Sequence, residues 1–238
     1  SQVAELEAAT FAIGVLKDSS SIPKLKKLAT SCIDSVRLAA CIALLRLGDR
    51  SYIPSILTLA KQSNLFAIAA LGEIEGSEDL LATLINSSDL QVRVNAASAL
   101  LQRRDTRCLP GLLEILITDS RDLAFYPFPS VGRTLMAIKS LPSAELHAND
   151  PTFNLGFSVA LREHLLKEAI HLPESAFLRI TSHIFQKQQN DLVPTTIHLL
   201  ENLRTEGAIG ILKIGSEKLS SPLIRDYCHL ALYRLKQE

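Results

Sequence analysis

A segment of about 30 residues recurs along the first half of the chain, and this periodicity constrains the fold more than any other feature of the sequence. A shift of 31 positions places residues 12–18 on residues 43–49, including a shared alanine, leucine and aspartate. A shift of 56 positions, two periods, places residues 36–57 on residues 92–113. The unit between them is represented by residues 69–74, which follow the corresponding segment of the second unit by 27 positions. The matched positions include proline, aspartate and small residues, so the similarity is more than a coincidence of apolar letters.

Each unit is predicted to form two helices, and four units fill residues 3–118. Val36, Ala40 and Leu44 recur at helical spacing and define one apolar face. A short carboxylate follows the first helix, where it can bond backbone amides, and a proline falls in the first turn of the second helix. The aspartates are Asp18, Asp49 and Asp105, and the prolines are Pro23, Pro54 and Pro110. A single hairpin cannot bury both of its apolar faces, so the predicted fold class is all-α, an α-solenoid of stacked antiparallel helix pairs.

These positions resemble the HEAT-repeat family in its short form, the repeats named after the phycobilisome lyases. The family pattern is roughly V-R-x-x-A-A-x-A-L-x-x-L-G-D followed by I-P-x-L-x-x-L, and residues 36–54 match it almost letter for letter. The resemblance implies a HEAT- or armadillo-like superhelix. It also implies a structural ladder along the solenoid, in which Arg37 and Arg93 bond turn aspartates such as Asp49 and Asp105.

The regular spacing ends in a proline-containing insertion over residues 119–152. Pro127 and Pro129 are incompatible with a regular helix there, and the next apolar helix comes about eight residues late. Residues 153–238 are interpreted as degenerate units of the same kind. We therefore expect one solenoid over residues 1–238, and, since the last unit lacks a second helix, a segment of a longer repeat protein. The helices expected beyond the fourth unit are residues 131–141, 153–172, 174–188, 192–203, 206–213 and 222–236.

Composition and charge exclude several classes of protein. Hydrophobic residues make up 47% of the chain, far more than in a disordered protein. The longest apolar run has 8 residues, too short to span a bilayer, so we expect no membrane insertion. No secretory signal opens the chain, and the four cysteines form no C-x-x-C pair. We expect reduced, structural cysteines and a cytoplasmic location.

The sequence offers no convergent catalytic or cofactor-binding motif. It contains no H-E-x-x-H, no His-Glu dipeptide of the kind that binds iron in HEAT-like hydroxylases, no phosphate-binding glycine loop and no G-x-S-x-G. His164 and Glu168 have helical spacing, but zinc requires three or four ligands. We therefore predict no catalytic residue, no metal and no cofactor.

Two clusters are candidates for binding a partner. Three aromatic residues occur within four positions of the insertion, Phe125, Tyr126 and Phe128. Exposed aromatics dominate binding energy at protein interfaces, although the loop could equally fold back and bury them. The second cluster is cationic and lies on predicted second helices; its members are Lys24, Lys27 and Lys61.

The function predicted from these features is a non-catalytic scaffold that binds a partner polypeptide on an extended helical surface. A nucleic-acid-binding HEAT-like protein is the alternative, but Lys+Arg and Asp+Glu both number 25, so the chain has no excess of cations. A second alternative, a bilin-lyase-like or other HEAT-fold enzyme, is supported by the resemblance alone.

Overall fold

The computed structural model describes residues 2–117 and 151–237, and these residues form 13 α-helices and five short 3-10 turns. The described part of the chain contains no β-strand, which confirms the all-α prediction. Residues 119–150 of the predicted insertion and the helix expected at residues 131–141 lie outside the described residues, whereas residues 151 and 152 already belong to a helix. The chain divides after Arg103 into two compact units, with residues 151–237 in the second.

The first unit contains seven helices: α1 (Gln2–Leu16), α2 (Ile22–Leu28), α3 (Asp34–Arg46), α4 (Ile53–Lys61), α5 (Leu65–Ala70), α6 (Glu78–Leu84) and α7 (Leu90–Gln102). The first helices of successive pairs, α1, α3, α5 and α7, pack against one another in chain order. Each second helix, α2, α4 and α6, packs against the first helix that follows it. The seven helices bury a core of leucine, isoleucine and alanine side chains.

The turn after each regular first helix follows the predicted chemistry. The Asp18 carboxylate accepts hydrogen bonds from the amide of Ser20 at 3.0 Å and from its hydroxyl at 2.6 Å. Asp49 accepts the same pair of bonds from Ser51. Bonds from these serine hydroxyls, which favour the charged carboxylate, lower the pKa of both aspartates. The aspartate thus starts a short 3-10 turn that leads into the second helix, whose second residue is the predicted proline.

Small residues allow the first helices to approach closely. A Cβ atom placed on Gly14 in α1 would lie 2.6 Å from the Cα and 2.8 Å from the Cβ of Ala43 in α3. Ala40 and Ala43 are themselves completely buried. Because the nearest atom belongs to backbone, this contact leaves no space for a larger side chain at position 14.

The second unit begins with α8 (Leu109–Ile117) and continues with α9 (Pro151–Glu168), α10 (Glu174–Gln186), α11 (Val193–Leu203), α12 (Glu206–Lys218) and α13 (Pro222–Gln237). Alternate helices pack together, so that α8, α10 and α12 form one row and α9, α11 and α13 form another. The five helices predicted from residue 153 onward are confirmed, with most ends within four residues of the expected positions.

Helix α12 is longer than predicted, ending at Lys218 rather than at Lys213. Gly215 is buried inside it, where an added Cβ would lie 2.5 Å from the Phe185 ring and 3.0 Å from the sulfur of Cys228. A glycine lowers the helix propensity of α12, but a larger residue does not fit at this position. Only a hydrogen atom has room between the Phe185 and Cys228 side chains.

A buried arginine joins three segments of the second unit. The Arg162 side chain in α9 is only 5% exposed, and its Nε and Nη2 donate to the carbonyl of Leu116 at the end of α8, at 3.1 and 2.6 Å. Nη1 pairs with the Asp191 carboxylate at 2.5 Å, and Nη2 also donates to the Gln189 side chain. The guanidinium therefore satisfies a helix-terminal carbonyl and the loop before α11 together.

We predict that the four cysteines differ sharply in their reactivity. Cys41, Cys108 and Cys228 are buried, whereas Cys32 is exposed. Burial, with a smaller contribution from the nearby Asp105 charge, raises the pKa of Cys108 to about 12, and burial raises that of Cys228 to about 11. Because the thiolate is the reactive form, a thiol reagent at pH 8 should modify one cysteine in the native protein and four in denaturant. In Cys32→Ser the rapid native reaction should disappear; a rapid reaction that persists would show that a second thiol is accessible.

Candidate functional site

The predicted cationic candidates lie on the surface of the first unit. Lys24 and Lys27 are exposed on α2, and Lys61 is exposed at the end of α4. Their neighbour Lys26 forms an ion pair with Asp49, at 3.3 Å. The aromatic candidates Phe125, Tyr126 and Phe128 lie outside the described residues.

Among the described contacts, Arg37 does not form the bond to Asp49 that the family resemblance implies. Arg37 donates to the Ser31 carbonyl at 3.1 Å and pairs with Asp34 at 2.6 Å. The reason is distance: Arg37 lies in the first turn of α3 and Asp49 follows its last turn, roughly 18 Å along the axis at a rise of about 1.5 Å per residue.

The second pair of the expected ladder follows a similar pattern. Arg93 donates to the carbonyls of Ser87 and Ser88, just before α7. Asp105 accepts bonds from the backbone and the side chain of Arg107. These arginines thus bond backbone carbonyls next to the start of their own helices, where they position the preceding turn.

A different ion pair connects successive helix pairs of the first unit. The Nε and Nη2 atoms of Arg46 donate to both oxygens of Glu73, at 2.6 to 3.2 Å. The Arg46 side chain is 10% exposed, and its guanidinium carbon lies 4.3 Å from the centre of the Phe11 ring. Bidentate geometry and stacking make this arrangement far more specific than a surface ion pair.

The pair forms part of the wall of a cleft with a volume of about 580 Å³. Four successive sequence repeats contribute the same repeat position to this wall. The shifts of 31, 27 and 29 residues relate these four residues, which are Val15, Arg46, Glu73 and Gln102. These residues lie at or next to the C-terminal ends of α1, α3, the 3-10 turn Leu71–Glu73 and α7. The cleft therefore runs across the ends of the first helices.

Three charged side chains at the edge of the cleft have no ion-pair partner within residues 2–117 and 151–237. Two are cations, Lys17 and Arg50, and one is an acid, Glu75; all three are exposed. Lys17 also adopts a left-handed backbone conformation, with φ of 54°. The equivalent residue of the next sequence repeat is Gly48, with φ of 95°. A lysine is less favourable there than a glycine because of its Cβ atom.

The last described helix carries an exposed apolar row. Leu223, Tyr227, Leu230 and Tyr233 are spaced four, three and three residues apart, so they share one face of α13, and they are 43–63% exposed. The opposite face contains Ile224, Cys228 and Ala231, which are buried against the second unit. A contiguous apolar row of this kind is a surface suited to packing against another polypeptide segment.

No family model, curated protein or solved structure matches this chain. Among the described residues, no group of three or more His, Cys, Asp or Glu side chains could hold a metal ion. In the same part of the chain, no helix has the length and apolar character needed to cross a membrane.

Sequence reasoning missed the Arg46–Glu73 pair and the cleft beside it. The available signal was the repeat itself: opposite charges occupy the same repeat position 27 residues apart. It was missed because the family pattern directs attention to the arginine at the start of the first helix and to the turn aspartate. It assigns no role to the last turn, where Arg46 and Glu73 lie.

Proposed function

We propose that this chain is a non-catalytic α-solenoid of HEAT-like repeats that binds a partner polypeptide on its helical surface. In the first unit, the ordered packing of first helices on first helices supports a solenoid, since repeat proteins bury their core between neighbouring pairs. The alternating rows of helices in the second unit support the same architecture.

The observation that carries the proposal is the apolar row on α13. Tyrosine and leucine side chains exposed on one helical face provide a large contact area at a low cost in side-chain entropy. Tyrosine is also enriched among the residues that dominate binding energy at protein interfaces, and the row contains two, Tyr227 and Tyr233.

Affinity capture with a matched pair of variants tests this function. We expect Tyr227→Ser/Tyr233→Ser to lose a specific co-purifying protein by at least tenfold, without a change in melting temperature, because both rings are exposed. Leu16→Ser is the control, since Leu16 is also exposed but lies in the first unit; it should retain the partner. Equal recovery with all three proteins would contradict a binding role for α13.

A salt titration separates the proposal from nucleic-acid binding. A polypeptide held by apolar contacts should remain bound between about 50 and 200 mM salt, whereas binding to phosphates falls steeply over this range. Capture of nucleic acid alone, released by salt and unaffected by the tyrosine substitutions, would favour the alternative.

A further inference from the structure

We infer that the cleft at the ends of the first helices binds an acidic polypeptide segment, with the Lys17 ammonium and the Arg50 guanidinium as the groups that contact its carboxylates. The inference rests on the proposed function and specifies the chemistry of the partner at one site. It concerns the first unit only and does not depend on α13.

The charge balance of the cleft favours an anionic ligand. Arg46 and Glu73 neutralise each other through their bidentate pairing, so they contribute little net charge. Of the remaining charges, Lys17 and Arg50 are positive and Glu75 is negative, leaving an excess of one cation. Both cations are exposed, so an arriving carboxylate displaces water rather than an existing ion pair.

The unpaired side chain of Lys17 gives a second reason. The residue follows α1 in the left-handed conformation that is common after helices, as Gly48 does after α3 and Arg104 does after α7. Within the described residues, the Lys17 side chain has no salt bridge or hydrogen bond. The Lys17 ammonium can therefore pair with a ligand carboxylate without first leaving another partner among the described residues.

Arg46 provides a polar anchor in the wall. Its Nε and Nη2 atoms are used by Glu73, but Nη1 is buried and has no hydrogen-bond partner among the described atoms. An unsatisfied buried donor is unfavourable, and this one belongs to a residue of the cleft wall, so a polar ligand group that reaches it would be stabilised.

The volume is consistent with a short segment rather than a whole domain. At about 580 Å³ the cleft lies within the range of roughly 300–1,000 Å³ that is usual for ligand sites, enough for a few side chains. Val15, Ile53 and Ile74 supply apolar surface between the charged groups. We therefore expect recognition of acidic side chains, or of a chain-terminal carboxylate, on an extended segment.

Fluorescence anisotropy with a labelled hexaglutamate peptide tests the site. We expect saturable binding at 50 mM salt, no binding of the matched hexaglutamine peptide, and at least a tenfold weaker affinity in Lys17→Gln/Arg50→Gln. The control is Lys24→Gln/Lys27→Gln, which removes the same charge from exposed positions on α2 and should change affinity less than twofold.

One further variant separates binding from a structural role of Lys17. Lys17→Gly removes the ammonium and suits the left-handed backbone, so affinity should fall about threefold while the melting temperature stays the same or rises. If Lys17 instead stabilises the negative end of α1, the melting temperature falls and the affinity does not change, which overturns the inference.

The remaining outcomes are also decisive. Absence of peptide binding, or equal weakening by the two double variants, overturns the assignment of the cleft. Tighter binding of a single-stranded oligonucleotide, lost in Lys17→Gln/Arg50→Gln, assigns the cleft to nucleic acid and overturns it too. In each case partner capture that depends on Tyr227 and Tyr233 would still stand, so failure of this inference is distinguishable from failure of the proposed function.

Discussion

Replacement of Arg162 by alanine is expected to lower the free energy of unfolding of the second unit by about 2–4 kcal/mol, because the buried Leu116 carbonyl loses its charge-assisted hydrogen bonds. The substitution removes the donors that satisfy the Leu116 carbonyl and leaves Asp191 without its cation. It also empties the volume that the long side chain fills. Urea denaturation followed by circular dichroism measures the effect.

Arg234→Ala is the matched control. Arg234 also pairs with a carboxylate, Glu201, but at 3.4 Å and with its side chain 60% exposed. Exposed pairs of this kind are worth about 0–1 kcal/mol. Equal effects of the two substitutions would mean that Arg162 is solvated rather than buried.

The second large effect is expected at Gly14, where alanine should destabilise the first unit by about 1–3 kcal/mol. Alanine is the better helix former, so intrinsic propensity alone predicts the opposite sign. The added methyl group, however, would lie 2.6 Å from the Cα of Ala43, and backbone cannot move aside as a flexible side chain can. Thermal unfolding of the variant, compared with the parent protein, decides between the two effects.

Gly210→Ala is the control for this substitution. Gly210 lies inside α12, and a Cβ atom there would meet no described atom within 4 Å. The same change should therefore stabilise the second unit by about 0.5–1 kcal/mol through helix propensity. If Gly14→Ala is stabilising to a similar degree, α1 and α3 do not make the close contact described above.

Much of the local structure could be predicted from the sequence because it depends on short-range physics. The turn aspartates Asp18 and Asp49 bond the amides that their spacing indicated, and Pro23 and Pro54 occupy the second position of their helices. Helical periodicity also located the helices of the second unit. The stacking of these pairs into a solenoid remains a proposal supported by the packing within each unit.

The candidate sites were harder to predict because they depend on contacts between units of the repeat. The family pattern predicts a bond from Arg37 to Asp49, but the Arg37 side chain bonds the nearer Asp34 carboxylate and the Ser31 carbonyl. The Arg46–Glu73 pair requires knowledge of which helix ends meet, and the exposure of the α13 row depends on what packs beside that helix. Neither is encoded in the spacing of residues within a single helix.

The pairing at the last turn has a consequence for how such a chain can change in evolution. Successive sequence repeats have valine, arginine, glutamate and glutamine at the same repeat position, the last turn of the first helix. Neighbouring repeats are therefore not interchangeable. Deleting the repeat that carries Glu73 would bring Arg46 against Gln102, and a buried guanidinium would lose its only salt-bridge partner among the described residues. A uniform repeat array can change its length when whole repeats are duplicated or lost. Between the repeats that carry Arg46 and Glu73 such a change is disfavoured, because it separates the two charges of the ion pair.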